Sequence, residues 1–107
     1  MKKFIDLLTD VEYATDVQKK KELWDVQGIL KDRLNQKLKF DLRPLKDNSK
    51  LGSLKTKADK MVFDMIKEYV IVDIEELHKH LKQKNTRKVY LDNLILELDW
   101  NIVLAKD

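Results

Sequence analysis

Glycine and proline are nearly missing from this chain. Its 107 residues hold Gly28, Gly52 and Pro44 and no others of either type, against usual frequencies of about 7% and 5%. Residues that make left-handed or sharp turns at little cost are therefore scarce. Such a chain is expected to spend its length on a few long elements, and helices meet that demand most simply. The expected fold class is mainly α: a small helical domain of four to five helices with a two-stranded β-ribbon and a winged-helix-like C-terminal half.

The length suits a single domain over residues 1–107. It divides into an N-terminal helical part (1–40), a basic connector (41–56) and a C-terminal part (57–107). Thr9-Asp10-Val11-Glu12 has the form of a capping box, and Thr15-Asp16 offers a second helix start. Leu23, Val26, Leu30, Leu34 and Leu38 recur at spacings of three and four, with Trp24 and Ile29 beside them, and predict an amphipathic helix. Gly28 inside that stripe predicts close helix packing. Trp24 and Trp100 are expected in the core.

Thr56-Lys57-Ala58-Asp59 predicts a helix start, with Ala58, Met61, Val62, Met65, Ile66 and Tyr69 on its apolar face. Val70-Ile71-Val72 is β-branched throughout and predicts a short strand. Asp73 then caps a helix that buries Ile74, Leu77 and Leu81. Lys82-Gln83-Lys84-Asn85 makes a turn, and Thr86 opens a last helix with Leu91, Leu94, Ile95 and Leu98 inward. Ile102-Val103-Leu104 is expected to pair antiparallel with Val70–Val72.

Helix, strand, helix, turn, helix and return strand over residues 57–107 resemble a winged-helix or helix-turn-helix module. The resemblance implies that the last helix enters the major groove. Arg87, Lys88, Tyr90 and Asn93 would then face the nucleic acid, with Lys82, Lys84 and Asn85 in the preceding turn. Asp92 and Glu97 on that helix repel phosphate.

The net charge of +3 is uneven: −1 over residues 1–30, +6 over 31–60 and −2 over 61–107. The positive middle holds Arg43, Lys46, Lys50, Lys55 and Lys57, residues suited to a sequence-independent grip on phosphate. Lys19-Lys20-Lys21 is expected to be a solvated helix turn.

Catalysis and cofactors find no footing in the sequence. Cysteine is absent, which excludes disulfides and thiolate chemistry. His78 and His80 lie two apart, so a helix points them away from one another and they cannot share a metal. No glycine-rich phosphate loop or serine elbow occurs.

Asp6 interrupts the apolar N-terminus, and no apolar run approaches the ~18 residues of a membrane span. The expectation is a cytoplasmic, non-enzymatic regulatory protein that contacts nucleic acid, without cofactor, metal, small-molecule substrate or membrane. The alternative is a protein-binding adaptor or inhibitor acting, or self-associating, through Leu23, Trp24, Val26, Leu30, Leu34 and Leu38.

Overall fold

Lys37-Leu38-Lys39-Phe40-Asp41-Leu42-Arg43 alternates charged and apolar side chains, the period of a strand, and these residues lie in a central strand. The computed structural model describes residues 3–44, 55–86, 88 and 91–106. Among them are six strands: β1 (Leu8–Tyr13), β2 (Val26–Leu30), β3 (Lys37–Pro44), β4 (Lys60–Asp64), β5 (Glu68–Asp73) and β6 (Asn101–Ala105). With them stand a 3-10 turn (Phe4–Leu7) and the helices α1 (Asp16–Glu22), α2 (Ile74–Lys84) and α3 (Leu91–Glu97).

The strands form one sheet in chain order. β1, β2 and β3 are successively antiparallel, β3 and β4 run parallel, and β4, β5 and β6 are again antiparallel. Leu42, Val62, Ile71 and Ile102 are cross-strand neighbours in one row of four strands. They belong to the core on one face, with Phe4, Leu8, Val26, Leu30, Phe40 and Tyr69. Phe4 meets Phe40 and Tyr69 edge-on, at 5.1 and 5.5 Å between ring centroids.

The opposite face places Met61, Phe63, Val70 and Val72 under Leu77 and Leu81 of α2, Leu94 of α3, and Leu98 just after it. Leu30 and Leu104, from strands far apart in the sheet order, line one cavity of about 380 Å³. The sheet therefore curls around its first core, in the sense that twisted strands favour.

This architecture overturns the mainly helical expectation and the winged-helix resemblance. Residues 8–13, 26–30 and 37–44 are strands, so the predicted N-terminal amphipathic helix does not exist. Trp24, Val26, Leu30 and Leu38 are buried, while Leu23 and Leu34 are half-buried. The stripe proposed for an adaptor is thus largely occupied by the protein's own core.

The helix predicted from Thr56 is instead β4, a turn and β5. Ile66, counted on its buried face, stands at the turn and is 84% exposed. The physical cause is that β4 and β5 are covered on both faces, and such strands read as continuous apolar runs that also satisfy helical spacing. The last helix begins at Leu91, not Thr86, and has seven residues. Lys88 precedes it, and α3 turns Leu94 onto the sheet, so no recognition helix of the expected kind is present among the described residues.

Other expectations hold in the main. Val70, Ile71 and Val72 pair antiparallel with the last strand, opposite Val103, Ile102 and Asn101, one residue out of the expected register with 102–104. Asp73 caps α2, its carboxylate accepting from the Glu76 N–H at 3.2 Å, and Ile74, Leu77 and Leu81 are buried. Thr15 caps α1 in a reciprocal box with Gln18.

Candidate functional site: a cationic crevice between two helices

His80 and Lys84 stand four residues apart on α2, which places both side chains on one side of the helix. Burial of Leu77 and Leu81 on the sheet turns that side toward α3. There Glu97 meets them: its carboxylate lies 3.2 Å from His80 Nδ1 and 3.7 Å from Lys84 Nζ. α2 ends at Asn85, which is left-handed at φ 51° and donates its N–H to the carbonyls of Leu81 and Lys82. The Thr86 N–H bonds the Leu81 carbonyl at 3.1 Å. The chain then turns back, and the Thr86 hydroxyl oxygen accepts from the Lys88 N–H at 3.1 Å.

The result is a polar crevice of about 190 Å³ lined by His80, Lys84, Thr86, Lys88, Asn93 and Glu97. A neighbouring crevice of about 170 Å³ includes Lys79 and Gln83 and shares His80 and Glu97 with the first. Glu97 thus stands between two polar hollows. Lys82, Lys84, Asn85, Lys88 and Asn93 are all exposed. Arg87 and Tyr90 lie outside the described residues.

The basic connector fares differently. Arg43 is not on the surface as a phosphate grip. It is held in a two-point pair with Asp41, Nε to Oδ1 at 3.1 Å and Nη2 to Oδ2 at 2.8 Å, with only 18% of its side chain exposed. Lys46 and Lys50 lie outside the described residues. Lys55 and Lys57 are exposed.

The Lys57 N–H bonds the carbonyl of Glu22 at 2.8 Å, and the Thr56 hydroxyl donates to the Leu23 carbonyl at 3.3 Å. Lys57 is therefore brought beside the last turn of α1, where Lys19, Lys20 and Lys21 are exposed. No sequence signal joins residues 19–21 to residue 57, because a tertiary contact makes the link. By contrast, the His80–Lys84 spacing was readable, although Glu97 as their partner was not.

An apolar recess of about 240 Å³ lies elsewhere, among Phe4, Leu42, Val62 and Tyr69. Beside it Lys106 pairs with Asp64 and stands 4.7 Å from the Tyr69 ring centroid. Burial, seconded by the Asp64 charge, raises the Tyr69 hydroxyl above its ordinary pKa, so the phenol stays protonated near neutrality. Among the described residues no group of three or more His, Asp or Glu could hold a metal ion. No helix of these residues is long and apolar enough to cross a membrane. Neither a protein-family model, nor a curated protein, nor a solved structure matches the chain.

Proposed function

We propose that this is a binding protein that contacts nucleic-acid phosphate, without reading sequence, through the corner formed by the end of α2 and the start of α3. The supporting observation is that exposed Lys84 and Lys88 line one polar crevice, with Lys82 exposed on the same last turn of α2. Among the described residues, Glu97 is the only acid lining the crevice beside them. Lysine suits such contact, being a point charge on a flexible stem, well matched to phosphate and poorly matched to base edges. The exposed lysines of α1 with Lys57 are a further cationic surface for the same polyanion.

Fluorescence anisotropy of a labelled duplex over a range of salt concentrations tests the reading. Three lysine contacts predict that log affinity falls by roughly 2–3 per tenfold rise in salt, at about 0.9 per phosphate. The double variant Lys84→Ala/Lys88→Ala should lower that slope by about 2. An unchanged slope removes this corner from the interface, and no binding at low salt removes the function.

A further inference from the structure

We infer that the crevice between α2 and α3 takes a single tetrahedral oxyanion, the phosphate monoester at the end of a nucleic-acid strand, with Glu97 as its internal competitor. The inference rests on the nucleic-acid reading and narrows it to strand ends. Five of the six lining side chains, His80, Lys84, Thr86, Lys88 and Asn93, carry N–H or O–H donors. Glu97 alone only accepts.

The donors are largely uncommitted. The side chains of Lys88 and Asn93 have no hydrogen-bond or ion-pair partner among the described residues. The Thr86 oxygen accepts from the Lys88 N–H, which leaves the hydroxyl proton free to donate outward. Lys84 touches only Glu97, at 3.7 Å, among the described residues. Glu97 already places a carboxylate between His80 and Lys84, where an incoming phosphate would meet the same two groups.

Charge selects the terminal group. A hollow of about 190 Å³ has room for one phosphate and a few waters. A phosphate monoester carries about −1.5 to −2 charges near pH 7 and three free oxygens. It therefore matches two lysines better than a singly charged diester does.

The test is anisotropy on single strands of one sequence, terminally phosphorylated or ending in hydroxyls, with inorganic phosphate as competitor. Wild type, Glu97→Gln and Lys88→Ala are compared, and unchanged melting temperatures verify folding. Wild type should prefer the phosphorylated strand. Glu97→Gln should tighten it roughly fivefold and Lys88→Ala should weaken it by a similar factor, the effect of one unit charge near 4 Å at a wet surface. The hydroxyl-ended strand should change less.

Equal affinity for the two strands in all three proteins would overturn the inference while leaving phosphodiester contact standing. Binding of inorganic phosphate, tightened by Glu97→Gln, with no strand bound would overturn the strand end as its source and the nucleic-acid reading together.

Discussion

Leu23 holds a left-handed backbone, φ 63°, at the end of α1. For a leucine this conformation costs roughly 1–2 kcal/mol. It is held because the Leu23 N–H reaches Gln18 and its carbonyl receives Thr56. Asp32 and Asn85 turn the chain in the same way at φ 59° and 51°, and Asp10, at φ 55°, sits where β1 shifts register against β2; their short polar side chains make the conformation cheaper. These four residues supply left-handed positions that the scarcity of glycine led one to think were missing. Gly28 is used for something else. It does not pack helices; it lets β1 approach β2. A Cβ there would lie 3.0 Å from the Thr9 carbonyl oxygen and 3.2 Å from the Leu8 side chain. Gly28→Ala should destabilise by about 1–2 kcal/mol, the crowding outweighing the ~0.5–1 kcal/mol gained from chain entropy. A lower denaturant midpoint at unchanged m-value would show it, and a raised midpoint would contradict it.

At the scale of elements, α2 was legible because its determinants are local: a capping Asp73, inward Ile74, Leu77 and Leu81, and Asn85 to close it. Its start is tied to the sheet. Asp73 pairs with Lys60 at 2.8 Å, Lys60 lies 3.8 Å from the Trp100 ring centroid, and the Trp100 N–H donates to Glu76 at 3.0 Å. Burial pushes the Asp73 carboxyl up, but the Lys60 bond and the N–H groups of Glu76 and Glu75 outweigh it and leave the pKa below the ordinary value. A depressed carboxylate stabilises the fold above its unfolded pKa of about 3.9, and that contribution fades as pH falls through the lower folded value. Asp73→Asn keeps a capping oxygen and removes the charge. Its stability deficit against wild type should therefore shrink as pH drops below about 4 in acid-titrated urea melts. Asp73→Ala should cost about 1 kcal/mol more generally, through the lost cap. The strands were harder to read. β3 does alternate, yet two carboxylates from outside it complete its hydrogen bonds: Asp25 receives the Leu42 N–H at 2.7 Å and Asp59 receives that of Lys39 at 2.8 Å. Such partners belong to no local pattern.

At the scale of the molecule, protection is expected to be graded from centre to edge. Met61, Val62, Phe63, Val70, Ile71 and Val72 are completely buried between two cores. Their amides should exchange slowest, through global unfolding, while those of α1, which buries no side chain, should exchange through local opening. Hydrogen exchange read residue by residue checks this; slow exchange in α1 together with fast exchange in β4 would refute the assignment of the core. By itself the sequence determined the start of α2 and the antiparallel pairing of residues 70–72 with the last strand, one residue out of the register expected with 102–104; for α1 it offered Thr9 and Thr15 alike, and only Thr15 caps a helix. Capping acts within one turn, and β-branched crowding acts within a residue. Only the tertiary structure decided that residues 8–13, 26–30, 37–44 and 60–64 are strands: in 60–64 burial on both faces erases the period that tells strand from helix, and in 26–30 and 37–44 the apolar residues Val26, Leu30 and Leu38 fit helical spacing as well as the alternation of a strand. It also decided the crevice: His80 and Lys84 meet Glu97 only because Leu81 and Leu94 dock their two helices on the same face of one sheet.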